Sequence, residues 1–551
     1  MSEHRTAPTL LASSAVMASG TILSRFSGYF RTLLIIAALG QAMHADIFTV
    51  ANTIPNAVYI LVAGGIFNAV LVPQLVRAMK NDEDGGDAYA ARIITLSAIF
   101  LAVVTVLLVL VAPLLMRVYL ADRYFDSDRA AHLESAIDFT RYCLPQVFFY
   151  GMFVLLGQVL NARQRFGPMM WAPIANNLIA IVVLASYLLV WGEPTGAELV
   201  GPFSTEQELL LGLGSTLGIV VQFLILVPYL RQAGFSYRPR FDFHGTGLGH
   251  TLRLGVWTVL FVVVNQLAFL VVTRLASSGT VGGGDGTGNT VYSASFLIMM
   301  VPHAIVTVSL TTAMLPRLSD YATDQRLADM GRTVGSTLRT ALVVVLPFAT
   351  LVPIVSKDVA GVLFEAGAGD PGAFAPTLAL FGPALVFFTV HYLMLRGFYA
   401  LEQTRRVFFI QCAISATNIA AAFWLVGRTS PEDTAPALVL AWLASYVVGS
   451  ALSYATLRRT LGGLQTPVLV RFLIRMVIAC AGAGLAAWAV EQAMAGLGEQ
   501  PGILLSLLRG GLAGLAGGVV LLVVARLLRV DEITSLADAA LSRLQRRRDL
   551  R

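Results

Sequence analysis

Apolar runs of about 20 residues recur along almost the whole chain, each long enough to cross the roughly 30 Å hydrocarbon core of a bilayer as a helix. No other feature limits the fold so strongly, because backbone surrounded by lipid must satisfy its own hydrogen bonds. Hydrophobic residues make up 56% of the 551 and charged residues only 13%, far from the balance of soluble domains. The runs predict an all-α polytopic membrane protein of about fourteen transmembrane helices. The last run ends near residue 530, and no large soluble domain is expected in the remainder. The start, "MSEHRTAPTL", lacks a strongly basic segment and a small-residue cleavage pattern, so the first run is expected to be retained as a span. Cys143, Cys412 and Cys480 stand singly in apolar runs and read as packing residues.

An even number of spans puts both termini on one side, and the distribution of Lys and Arg identifies that side as the cytoplasm. Most of the 38 basic residues then fall on inner connections such as "NARQRF", "RQAGFSYRPR", "EQTRR" and "LRRTL". The outer connection "GEPTGAELVGPFSTEQE" has four glutamates and no basic residue. The sequence pI near 9.3 therefore reflects topology, and nucleic-acid binding is not expected.

The chain also repeats itself. "LVLVAPLLMRVYL" matches "FATLVPIVSKDVA", pairing Pro113 with Pro353 and Arg117 with Lys357, 240 positions apart. "LPQVFFYGMFVLLGQVLNARQRF" matches "GPALVFFTVHYLMLRGFYALEQTRR", pairing Pro145 with Pro383 and Ala162 with Ala400 at 238. Two six-helix lobes are expected, at 11–232 and 248–460, and six being even they are parallel repeats. Two further helices at 468–530 and a basic cytoplasmic tail at 531–551 complete the expected layout. Those two helices are rich in Gly and Ala, which suits either close helix packing or a shallow groove for a lipid tail.

Polar residues inside the spans are the candidates for function. "SRFSGYFR" places Arg25 and Arg31 in the first span, where each costs roughly 2.5–3.5 kcal/mol on insertion scales. On a helix they stand about 9 Å apart along the axis and about 120° apart around it, so they cannot point the same way. Gly28 between them permits close approach of a neighbouring helix or a ligand. Either the two arginines bind an anion in a water-filled cavity, for which the arginine fork suits phosphate, or they lock the helix onto backbone carbonyls. Asp46 is either a gate residue that pairs with a basic group or a cap for the second span. Asn56, Asn161 and Asn177 could bond sugar or peptide groups, or glue helices together. His303 and His391 have no ligand-spaced partner, and no metal is expected. No carboxylate is read as lying well inside the second-lobe spans, so an acidic sodium or proton site is not expected there. The chain has no P-loop, and "VGGGDGTGN" lacks the Lys-Ser/Thr of a phosphate cradle. Neither an enzyme nor a bound cofactor is expected.

"SRFSGYFR", "ADIF" at 45–48, "IPN" at 54–56 and "GQVLNARQRFGPMMWAPIANN" at 157–177 resemble the MurJ/MviN family of lipid II flippases, in the MOP exporter superfamily. The resemblance covers essentially the whole chain, the two extra helices included. It implies a V-shaped, two-lobed carrier in the bacterial cytoplasmic membrane that moves an undecaprenyl-diphosphate-linked peptidoglycan precursor to the outer leaflet by alternating access. Its partners would be lipid II or a similar lipid, membrane lipids and peptidoglycan-synthesis proteins. The family's essential arginine matches Arg31, a second functional arginine matches Arg25, and its acidic residue matches Asp46. Two further arginines common in the family are replaced here by Tyr59 and Leu297, so the expected binding set is Arg25, Gly28, Arg31, Asn56 and Tyr59. Arg274 and Arg141 are possible substitutes for the missing charges, although both could instead snorkel to the outer surface; Asn161 and Asn177 are further candidates. An exporter of another polyprenyl-diphosphate-linked glycan, or a drug or cation antiporter, are the competing readings.

Overall fold

The computed structural model describes residues 7–61, 75, 78, 84, 86–163, 165, 167–243, 248–281, 286–364, 369–497, 502–530 and 532–533. Among them every regular element is helical. Twelve helical segments from Asp87 onward are long and apolar enough to cross a membrane, so the expected fourteen is not reached among the described residues. The second helix shows one reason: its 18 residues include His44, Asp46, Asn52, Pro55 and Asn56, and this polar content dilutes the apolar signal. All of the tail at 531–551 except Glu532 and Ile533 lies outside the described residues. The chain divides into two compact units, Met1–Thr290 and Val291–Arg551.

The first unit contains α1 (Ala7–Leu39), α2 (Met43–Ile60), α3 (Asp87–Leu110), α4 (Ala112–Tyr119), α5 (Ala130–Cys143), α6 (Gln146–Ala162), α7 (Gly167–Trp191), α8 (Thr205–Gln232) and α9 (Leu248–Val281). Their ends follow local chemistry. α1 stops at Gly40, whose φ of +72° is a conformation glycine adopts freely. Pro145 follows the turn between α5 and α6, where its lack of an N–H costs no helical hydrogen bond. α8 begins on a capping box in which Gln207 N donates to Ser204 Oγ (3.4 Å) and Ser204 N to Gln207 Oε1 (2.9 Å). In lipid, helices gain little from apolar burial against one another, so close van der Waals fit decides the packing. α8 supplies that fit with Gly218, where a Cβ would collide with the Asn176 side chain of α7. α1 packs on α7, α7 on α8, and α6 on both α3 and α8.

The segment after α8 is latched to α3. Tyr237 Oη and Thr95 Oγ1 are 3.0 Å apart, and Arg92 Nε donates to Asp242 Oδ2 at 2.8 Å. Arg92 holds the Asp242 carboxyl below the ordinary carboxylate range. The folded value being depressed, the latch contributes above the unfolded carboxylate range and is lost as pH falls through the lowered one. Residues 235–243 should therefore become easier to cleave with an acid-active protease as pH drops. Asp242→Asn should abolish that pH dependence, and an unchanged profile would count against the latch.

The second unit holds nearly all of α10 (Asn289–Pro302), then a widened π turn at His303–Thr307 and α11 (Val308–Thr323). It continues with α12 (Leu327–Phe364), α13 (Pro371–Ala400), α14 (Thr404–Val426), α15 (Thr434–Thr460), α16 (Thr466–Met494) and α17 (Ile503–Leu527). α13 packs between α12 and α15, and α16 and α17 pack on each other and on α12. His303 Nδ1 meets Thr389 Oγ1 at 3.2 Å and His391 Nδ1 meets Ser453 Oγ at 3.3 Å. The small residues of the last two helices serve packing on one side, where Gly517 lies against Leu351 and Ala483. On the other side Gly511, Gly514 and Gly518 face open space.

Candidate functional site

On α1, Ser24, Ser27, Gly28 and Arg31 recur at the three- and four-residue spacing that puts them on one face. Asn177 of α7 fastens that face: its Nδ2 donates to Ser24 O at 3.0 Å and to Ser27 Oγ at 2.9 Å. Gly28 is not required by this approach, since a Cβ there would stand 3.5 Å from Asn177 Nδ2, an ordinary contact. The tight approach lies two turns earlier, where a Cβ on Gly20 would come within 2.9 Å of the Trp171 ring. Replacing Asn177 with Ala should cost about 1–3 kcal/mol by removing both bonds, while Gly28→Ala should leave thermal unfolding nearly unchanged; a reversed order would refute this account.

Arg31 is half-buried, and among the described residues its guanidinium makes no hydrogen bond or ion pair; Nε is buried without a partner. Its electrostatic neighbour is Tyr150 of α6, whose ring packs against Tyr59 of α2 at 4.8 Å. The Tyr29 hydroxyl on α1 is also buried and unpartnered. Beside these groups α2 and α6 are joined through Asn52, whose Oδ1 accepts from Gln146 Nε2 at 3.3 Å. Arg31, Tyr59 and Tyr150 thus form one cluster of donors. Arg25 is exposed and has no ion pair among the described residues, and Asn56 is exposed on α2.

Asp46 and Arg274 belong to separate constellations. Asp46 is fully buried, and its Oδ1 accepts from Thr290 N (2.8 Å) and Thr290 Oγ1 (2.7 Å). Its Oδ2 accepts from Asn289 N and Thr280 Oγ1, both at 3.0 Å. The carboxylate thus caps the first N–H groups of α10 rather than the start of its own helix, and none of these four partners is basic. Gly288 makes room for it, since a Cβ there would collide with the carboxylate. Arg274 spends its donors on the C-terminal end of α4: Nη1 reaches Arg117 O (2.6 Å) and Leu120 O (2.7 Å), and Nη2 reaches Asp122 Oδ1 (2.6 Å). Arg141 pairs with Asp138 at 2.9 Å. Asn161 Nδ2 lies 3.4 Å from Met169 Sδ, and its Oδ1 is buried without a partner. Leu297, like Arg25, is exposed.

Sequence reading did not single out Tyr150, Gln146 or Asn52. The available signal was Gln146 and Tyr150 four residues apart within an apolar span, where polar side chains face protein or water.

These helices have the fold of MOP-superfamily transporters. A solved "Lipid II flippase MurJ, inward closed conformation" superposes with a TM-score of 0.69 at 15% identity, covering 92% of this chain and 98% of that one. An inward-facing multidrug resistance MATE family transporter of the MOP superfamily gives 0.61 at 14% identity, over 80% of this chain and 95% of the other. The family model described as "Lipid II flippase MurJ" matches residues 35–506; the chain belongs to that family. It is similar to the "Lipid II flippase MurJ" of Burkholderia cenocepacia, 27% identical over 87% of this chain and 90% of that protein. The "Probable lipid II flippase MurJ" of Rhizobium meliloti is 26% identical over 86% and 85%.

Proposed function

We propose that this chain is a lipid II flippase, carrying the undecaprenyl-diphosphate-linked peptidoglycan precursor from the inner to the outer leaflet of the bacterial cytoplasmic membrane by alternating access. The observation that carries this reading is Arg31, a half-buried guanidinium whose donors are uncommitted among the described residues. A structural arginine would look like Arg274, with its donors placed on carbonyls and a carboxylate. An unpaired cation in an apolar span is costly unless an anion or water meets it, and a diphosphate suits the planar fork. Tyr59 and Tyr150 add hydroxyl donors beside it, where relatives are expected to use a second arginine. The names of the relatives favour lipid II over another polyprenyl-diphosphate-linked glycan, a drug or a cation.

The two six-helix lobes, the inward termini, and the substrate roles of Arg25, Asn56, Asn161 and Asn177 belong to the same proposal. So does the gate role of Asp46, now exercised through the start of α10. No covalent step and no nucleotide is needed; the transmembrane potential supplies about 2.3 kcal/mol per charge per 100 mV. Depletion in the native host, with outer-leaflet lipid II read by an extracellular probe in cells lacking any second flippase, should lower the probe signal, and re-expression should restore it. An unchanged signal after depletion sinks the reading.

A further inference from the structure

The second unit contains a buried charge cluster separate from the residues proposed to bind lipid II. Asp358 of α12 and Glu491 of α16 are 1% and 6% exposed, and Arg509 of α17 lies between them. Arg509 Nε is 2.5 Å from Glu491 Oε2 and 3.4 Å from Asp358 Oδ1. Asp358 is a buried carboxylate within the second lobe, where none is expected well inside a span, and Glu491 and Arg509 come from the two helices that follow that lobe. Each residue read alone is a single charge near the end of a span; packing of α12, α16 and α17 brings all three together. Gly510 permits the approach, since a Cβ there would stand 3.0 Å from Asp358 Cβ.

The charges do not balance. Two carboxylates face one guanidinium, and both oxygens of Asp358 and Oε1 of Glu491 are buried without a hydrogen-bond partner. Both carboxyl groups lie within 3.4 Å of the same Arg509 Nε, which brings them close to each other. As carboxylates both only accept, so they repel; with one hydrogen between them they bond. Among the described residues neither carboxylate forms an ion pair with any cation other than Arg509. Lys357, on the same helix as Asp358, is exposed, and Asp370 at the start of α13 accepts from Gly372 N at 2.8 Å.

We propose that Asp358 and Glu491 hold one proton between them beside Arg509, forming a protonation site in the membrane part of the second unit. The bound proton makes the trio neutral and lets α16 and α17 pack on α12. Its loss at alkaline pH leaves one uncompensated negative charge in the buried space and loosens that packing. Because two acids share one proton, the titration belongs to the pair.

Infrared difference spectroscopy on the purified full-length protein tests this. At neutral pH the wild type should show a carboxylic-acid C=O band that titrates away on alkalinisation, and both Asp358→Asn and Glu491→Gln should abolish it. Each variant leaves one carboxylate for Arg509 and should keep a wild-type Tm at neutral pH, losing the alkaline fall in Tm. If either variant fails to fold, the other decides; if both fail, the wild-type band should shift on isotope labelling of either Asp or Glu. A band absent from the wild type, surviving in a folded variant, or insensitive to either label overturns the proposal.

Discussion

Arg31→Ala should lower delivery of lipid II to the outer leaflet by roughly 10- to 100-fold, the equivalent of one charge-assisted hydrogen bond of about 1.5–3 kcal/mol. Thermal stability should not fall with it, because the guanidinium makes no hydrogen bond within the described part of the protein that its removal could break. The combination is diagnostic. A structural arginine loses stability first and transport as a result, whereas an anion-binding one loses transport alone. Arg31→Lys keeps the charge but not the fork and should fall between wild type and Ala. Tyr150→Phe removes a neighbouring hydroxyl and should cost less than Arg31→Ala. Complementation with the extracellular lipid II probe, alongside thermal unfolding of the purified variants, measures both axes; full rescue by Arg31→Ala would remove this residue from the binding set.

Asp46→Asn is expected to have the opposite profile. The carboxylate accepts four hydrogen bonds from Thr280, Asn289 and Thr290 in a fully buried position. An amide turns one of its two acceptor ends into a donor facing donors. The loss should be about 2–4 kcal/mol, since buried hydrogen bonds to a charged group are worth roughly 1.5–3 kcal/mol each and unsatisfied donors add a desolvation penalty. Gly288→Ala, which crowds the same carboxylate without changing its charge, should reproduce much of the effect. Chemical denaturation of the purified variants would measure both, and a wild-type midpoint for Asp46→Asn would show that the four bonds contribute little.

The membrane fold was legible because apolar runs are a local signal, repeated many times and tolerant of error at each boundary. What could not be read is the pairing of isolated polar residues. Asp46 and its partners Asn289 and Thr290 are more than 240 positions apart, and nothing in "ADIF" names a helix start as its destination. The same holds for Asp358, Glu491 and Arg509, which come from three helices. Arg31 and Arg25 were visible from the cost of charge in lipid, and their different directions from helix geometry, but the spacing did not say which of them is the half-buried one. Arg274 looked like a third candidate cation until its donors were found on the end of α4. The span count differed where polar side chains of α2 are buried against protein, as with Asp46, because hydropathy counts them as if they met lipid.

The widened turn at His303–Thr307 has a geometric consequence for everything around it. A π turn holds one residue more than an α turn, so the side chains before and after it are out of phase by about 100° compared with an uninterrupted helix. Leu297 and Thr311, fourteen positions apart in sequence, would share roughly one face of a regular rod; here the surplus residue swings them apart. Deleting a single residue between 303 and 307 would therefore act as a quarter-turn of one half of the rod against the other, a rotation without any change of side chain.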